Sequence, residues 1–219
     1  MRMLSSLCVL AFAMVSVQAE AVIFKPTGAA ASSIASSNYD PIYTIDGSGL
    51  TGNGTDITEA HADYVIQNHW TSANFAPTDQ WIDWTFSTPV TIGAAYIWNH
   101  RSNVIASNPG YEPTLFDLTF FDLDNNVLLF LDDRPLLPDT AFAQRIDFEL
   151  VSNVSRVRFD VEAVQSSTGW TGLAEVAFDS QSYLSSGAVP EPESWAMLIA
   201  GFGLVGAAMR RRESRRAAA

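Results

Sequence analysis

Residues 80–86 read Gln-Trp-Ile-Asp-Trp-Thr-Phe, and their alternation decides the fold. Ile82, Trp84 and Phe86 fall on one face, the period-two pattern of a half-buried strand. The same pattern recurs down the chain. Ala95 to Asn99 follows the turn-prone Ser87-Thr-Pro89 and Gly93. Leu115 to Phe121 and Val127 to Leu131 flank Asp122-Leu-Asp-Asn-Asn126, a hairpin turn rich in Asp and Asn. Arg145 to Leu150 alternates with Ile146, Phe148 and Leu150 inward. Val154 to Val161 places Val157, Phe159 and Val161 on one side and Arg156, Arg158 and Asp160 on the other. Leu173 to Phe178 closes the series. No long 3.6-residue period lies between the chain ends. Short strands between turn clusters predict an all-β sandwich or jelly roll.

The two ends read differently from the middle. Arg2, the apolar run Leu7 to Val17 and Val17-Gln18-Ala19 have the three-part pattern of a secretory signal, giving a signal peptide over residues 1–19. Cys8, the only cysteine, lies inside it. The mature chain is therefore expected to hold no disulfide and to rest on its apolar core. At the other end, Trp195 to Met209 is 15 residues without a charge. A bilayer span needs about 20, so the run is short by hydropathy alone. Trp195 at one interface and Arg210, Arg211 and Arg212 at the other extend it, with the arginines on the cytoplasmic side.

Pro190-Glu191-Pro192, followed by Trp195-Ala196, an apolar helix and the arginine cluster, resembles the PEP-CTERM sorting signal in its PEPxxWA variant. That resemblance implies an exosortase-type processing enzyme as partner, a Gram-negative producer of extracellular polysaccharide, and a transient inner-membrane anchor. The final location would be the cell surface or extracellular space. A permanent single-span anchor has the same topology. The expected division is signal peptide 1–19, β-sandwich 20–184, linker and PEP motif 185–192, and spanning helix with basic tail 193–219.

Composition narrows the partners. The chain has 24 acidic and 12 basic residues, a net charge of −12. Between the two ends, 21 acidic and 6 basic residues remain, near −15. Such a surface repels nucleic acid and anionic lipid, and it suits divalent cations and neutral sugars. It also serves simple solubility.

The body carries a resemblance of its own. Ala35-Ser-Ser-Asn-Tyr39, Tyr43-Thr-Ile-Asp-Gly47, Trp70-Thr-Ser72, Gln80 to Trp84, Pro89 to Ile92, Tyr96-Ile-Trp98, Val157-Arg-Phe159 and Gly172-Leu-Ala-Glu-Val176 together resemble a discoidin domain. This is the coagulation-factor C-type, or galactose-binding-like, module. The resemblance runs from about 33 to 178 and implies an eight-stranded antiparallel jelly roll. The cysteine pair of animal members is missing, and the insertion between Gly47 and Trp70 is long.

Bacterial members of that fold often hold one structural Ca²⁺. The resemblance carries its ligands onto Asp46, Ser48 or Thr51, and Glu175. Calcium takes six to eight oxygens from carboxylates and carbonyls in a turning loop, and glycines 47, 49, 52 and 54 permit such a turn. Glu175 stands in an otherwise apolar strand, where an unpaired carboxylate is costly. The alternative is a solvent-facing Glu175 and an Asp46 that only forms a turn. Asp122-x-Asp124-x-Asn126 also resembles the start of an EF-hand loop. Val127 stands where that loop needs glycine and Asp133 where it needs a bidentate glutamate, so the hairpin reading stands.

Sugar-binding members of the fold hold ligands among loops at one end of the sandwich. His100, Arg101, Asn103 and Trp170 supply planar donors for hydroxyls and an aromatic face for a sugar ring. Loop capping and packing are the alternative. The loop Asn68-His69-Trp70 belongs to the same set, while Trp70, Trp81 and Trp84 resemble core residues. No Gly-x-Ser-x-Gly elbow is present, and His61, His69 and His100 lack zinc-ligand spacing. Paired carboxylates for glycoside hydrolysis stay open. The leading expectation is a non-catalytic module that binds exopolysaccharide. The alternatives are a structural surface or biofilm-matrix protein without a specific ligand and, less favoured, a polysaccharide hydrolase.

Overall fold

The computed structural model describes residues 23–52, 56–73, 77–101, 110–166, 169–181 and 200–202. The described residues form eight strands: β1 (Ile23–Phe24), β2 (Gly28–Ala31), β3 (Trp70–Thr71), β4 (Trp81–Asn99), β5 (Pro113–Phe121), β6 (Val127–Pro135), β7 (Gln144–Val164) and β8 (Gly172–Asp179). They join in the order β1-β8-β4-β7-β5-β6, with β2 on β4 and β3 on β8, and every pairing is antiparallel.

β4 and β7 are long because each serves two layers. Residues 82–85 of β4 pair with β2 and 81–85 with the second half of β7, while 94–99 pair with β8. Trp84 and Ala95 are eleven residues apart, a span of ~36 Å in an extended strand. Yet Phe178, the partner of Ala95, lies 6.0 Å from the Trp84 ring. The chain must turn a corner between them. The register shifts between Thr85 and Val90, and again before Ala94, mark that corner. Ser87-Thr-Pro89 is thus a bend within one strand, and the break expected there is a change of layer. β7 turns at the matching place, with Asn153 at φ 64.

The core fills the space between the layers. Trp84, Val157 and Phe120 form one inward rung across β4, β7 and β5, and Ile82, Phe159 and Leu118 the next. Phe86 and Phe178 close the gap edge to face at 5.6 Å, and Phe120 meets Phe148 at 4.8 Å. Burying each such side chain contributes about 1.5–3 kcal/mol. The buried Trp84 indole donates to Thr44 Oγ1 at 2.9 Å, and that hydroxyl donates to Pro41 O.

Two inward expectations are corrected. Leu150 is exposed, because β4 advances two residues from Ile92 to Ala94 while β7 covers four, from Asp147 to Val151. The bulge turns Leu150 out. Trp81 is half-buried on the outer face, where the Arg158 guanidinium lies 4.1 Å from its ring.

The outer face of the β8-side layer is also covered. Tyr96, Trp98, Ala174 and Ala177 form a second apolar cluster, packed by Leu50 and Ile57 of the glycine-rich loop. The Trp98 indole donates to Glu59 O at 2.9 Å. That loop is therefore held by packing. Asp122 to Asn126 is the hairpin expected: Asp122 Oδ1 accepts from the backbone N–H groups of Asp124 and Asn126.

Candidate functional site

Two of the expected sites lie at different places on the β4–β8 pair. The first surrounds Glu175. It faces Trp98 across the register, so its carboxylate is on the outer, loop-covered face. Glu175 is fully buried and Asp46 is exposed. Gly47, at φ 83, turns its N–H onto both carboxylate oxygens at 3.2 Å. A glycine suits that left-handed backbone. Lys25 Nζ donates to Glu175 Oε1 at 2.8 Å. Burial pushes the Glu175 carboxyl up to about 8; Lys25 opposes the rise, and the neighbouring Asp46 charge adds to it. Asp46 Oδ1 accepts from Ser48 N at 2.8 Å, and Ser48 Oγ is buried without a hydrogen-bond partner. Thr51 is exposed further along the loop, its N–H on Ala60 O.

The second site is the end of the sandwich where β4 stops. His100 is 1% exposed, and its backbone N–H donates to Asn99 Oδ1. Its ring stacks on Tyr111 at 4.7 Å, meets Tyr64 edge-on at 5.7 Å and lies 4.2 Å from the His69 ring. In the sequence His69 belongs only to the loop Asn68-His69-Trp70. The structure places it in the centre of the cluster, with Tyr39 at 5.2 Å and Tyr64 at 4.9 Å. Tyr39 and Tyr64 share a hydroxyl hydrogen bond of 2.5 Å. Burial raises the Tyr64 phenol to about 12, and the Tyr39 bond adds to the rise.

The imidazoles are neutral. Burial pulls His69 down to about 3, and holds His100 well below its ordinary 6.5. His69 Nδ1 donates to Asn68 Oδ1 at 2.6 Å, which fixes the tautomer and leaves Nε2 as an acceptor. That Nε2, and both ring nitrogens of His100, are buried without a hydrogen-bond partner. Glu112 Oε1 approaches His100 Nδ1 only to 4.0 Å. Buried polar atoms are nearly always paired, so three lone nitrogens in one cluster are a functional signal.

The rim is polar and partly open. Arg101 follows His100 and pairs with Asp63, the neighbour of Tyr64, at 2.5 Å. Trp170 is 37% exposed. It joins the cluster through Thr171 and Gly172, whose position leaves no room for a side chain. A Cβ there would lie 2.9 Å from Trp70 O, 3.0 Å from Tyr111 and 3.3 Å from His100. The structure thus brings His100 and Arg101 to one end of the sandwich, and Trp170 precedes β8 at that same end. Asn103 lies outside the described residues. Sequence reasoning missed Tyr39, Asp63, Tyr64, Tyr111 and Glu112, since nothing in their local pattern distinguishes them from packing residues.

Solved structures share this fold. The family 32 carbohydrate-binding module of C. perfringens NanJ, in complex with galactose, superposes with a TM-score of 0.52 at 11% identity, covering 73% of this chain and 99% of that one. A mutant of the lectin-binding domain of lectinolysin, in complex with Lewis b, gives 0.50 at 15% identity, covering 71% and 92%. The body is a galactose-binding-like jelly roll. The PEP-CTERM protein-sorting motif is matched over residues 188–212. This chain carries a PEP-CTERM sorting signal. Such a motif indicates an exported, membrane-transiting protein and implies processing by an exosortase. No curated protein matches the chain. The signal peptide and Pro190 to Pro192, Trp195 and Arg210 to Arg212 lie outside the described residues. Residues 200–202 are helical, and among the described residues no helix is long and apolar enough to cross a membrane.

Proposed function

We propose that the chain is a non-catalytic carbohydrate-binding module, delivered to the cell surface or extracellular matrix by its sorting tail, where it binds a neutral polysaccharide. The observation that carries this reading is the His69–His100 pair, with three buried, unpartnered ring nitrogens at the end of the sandwich that also holds Arg101 and the exposed Trp170. Neutral imidazoles offer both a donor and an acceptor, which matches a sugar hydroxyl. An exposed indole offers the apolar face that a pyranose ring covers. The net charge near −15 disfavours polyanionic glycans. The fold shared with sugar-complexed modules is consistent with the reading. The acids at this end favour binding over hydrolysis: Asp63 is taken up by Arg101, and Glu112 is fully buried. The tail would hold the protein in the inner membrane only until it is cut.

A glycan array probed with the full-length chain tests the function. Binding to at least one neutral glycan is expected, with affinity reduced by about tenfold or more in Trp170→Ala and in Arg101→Ala, a loss equal to one good contact. Absence of binding to any glycan, or two variants that bind like wild type, overturns it.

A further inference from the structure

The Glu175 site combines features that a calcium ion does not fit as the residues stand. Calcium would need oxygens turned towards one point. Around Glu175 the carboxylate oxygens already accept from two donors: the Lys25 ammonium at 2.8 Å and the single Gly47 N–H, shared between both oxygens at 3.2 Å. Asp46 Oδ1 is engaged by Ser48 N, and the Ser48 carbonyl lies 3.1 Å from Nε2 of His61, whose Nδ1 meets Ala62 O at 2.8 Å. A fixed positive charge stands against the carboxylate that a metal would need. Lys25 is the only lysine among 219 residues, and its side chain is mostly buried at the end of β1.

We propose that the Lys25 ammonium occupies the cation position of this loop, so that Glu175 and the Asp46–Gly47 turn are held by an internal cation in place of a metal ion. The physical basis is substitution of like for like. An ammonium brings one positive charge and directed N–H bonds to a buried carboxylate, and the covalent tether removes the cost of capturing an ion from solution. Removing one partner of a buried pair leaves the other to be neutralised in another way, and here the carboxylate must take up a proton or bind another cation. Lys25 and Glu175 also join β1 to β8 through side chains, since Phe24 is paired to Phe178 in the same ladder. Without Lys25, the freed oxygens of Glu175, Asp46 and the unpartnered Ser48 Oγ would form a site that a divalent cation can enter.

Thermal unfolding of the full-length chain, in millimolar calcium and in chelator, tests the proposal. Wild type is expected to melt at the same temperature in both. Lys25→Met is expected to melt several degrees lower in chelator and to recover on adding calcium. The double variant Lys25→Met, Glu175→Gln removes both charges and is expected to fold and to ignore calcium, which keeps the test open if the single variant does not fold. Calcium that raises the melting temperature of wild type overturns the proposal. So does a Lys25→Met variant as stable as wild type, one that calcium fails to rescue, or a double variant that does not fold.

Discussion

Replacing His100 by Phe should change the acid stability of the protein by a predictable amount. The phenyl ring is flat like the imidazole but larger by one ring atom, so the stacking on Tyr111 and the edge contact with Tyr64 can persist at a packing cost that is the same at every pH. What changes is titration. A histidine whose folded pKa lies well below its ordinary 6.5 binds its proton only in the unfolded chain over the window between the two values. Stability is then full above about pH 6.5 and falls as pH drops through that window. Between pH 7 and pH 5 the unfolded-state proton is worth about 2 kcal/mol for one such group. His69, pulled down to about 3, adds a similar amount. Two carboxyls oppose this trend: Asp160, raised by burial to about 6, and Glu175, raised to about 8, take up protons in the folded state first. Their contribution to stability grows as pH falls. The wild-type profile alone therefore mixes opposing effects, and the quantity to measure is the difference between wild type and variant. Urea unfolding followed by tryptophan fluorescence at pH 7 and pH 5 gives it. The advantage of His100→Phe over wild type should widen by about 2 kcal/mol on acidification. A difference that stays constant would show that His100 titrates alike in both states, and the buried neutral imidazole would be wrong.

Gly172→Ala should cost about 1–3 kcal/mol, because its Cβ meets the Trp70 carbonyl and the Tyr111 ring, neither of which has room to give; a thermal melt reads the loss, and glycan binding should weaken with it as the ring cluster shifts. Asp83 accepts bonds from both Arg156 and Arg158 on the outer face. Asp83→Ala should therefore cost about 1 kcal/mol at low salt, shrinking as salt is added, and equal losses at low and high salt would remove the ionic explanation. Intact mass of the protein from its producing strain should end near residue 190; a full-length mass in the mature surface fraction would contradict removal of the tail.

The strand faces were legible because a strand with one wet side must alternate. Ile82, Trp84 and Phe86, and Val157, Phe159 and Val161, are all buried as their spacing requires. Continuity was not legible. Ser87-Thr-Pro89 has the composition of a turn, and only the cross-layer contact of Trp84 with Phe178 shows that the strand bends and runs on. Leu150 failed for a related reason: a bulge shifts the face of every residue beside it, and no local signal announces one. At the candidate site, sequence pointed to the loop after β4 through His100 and Arg101, but it could not see that Tyr39, Tyr64 and Tyr111 arrive from three other segments. The cation partner of Glu175 had a cue. A chain with a single lysine invites the question of what that lysine neutralises, and the answer lies 150 residues away in sequence.

Part of the polar surround of His100 is paired. Asn99 donates to the carbonyls of Pro113 and Leu137, and its Oδ1 accepts from His100 N. Gln80 Oε1 accepts from Ser32 and Ser33. Ser72 and Thr171 exchange backbone and side-chain bonds across β3 and β8. Thr71 Oγ1, Thr171 Oγ1 and Arg101 Nε are also buried without a hydrogen-bond partner, so the three ring nitrogens belong to a wider set of unpaired polar atoms at this end of the sandwich. A buried polar group left unpaired costs about 1–3 kcal/mol, and a phenyl ring in place of His100 would avoid that cost. Retaining the imidazole makes sense if a group from outside completes its bonds, as a sugar hydroxyl would. The same His100→Phe protein then discriminates the two roles. If the ring is there for binding, the variant should gain stability at pH 7 and lose glycan affinity together, the trade expected where a site is built at the expense of the fold. If the ring is there for packing, neither should change.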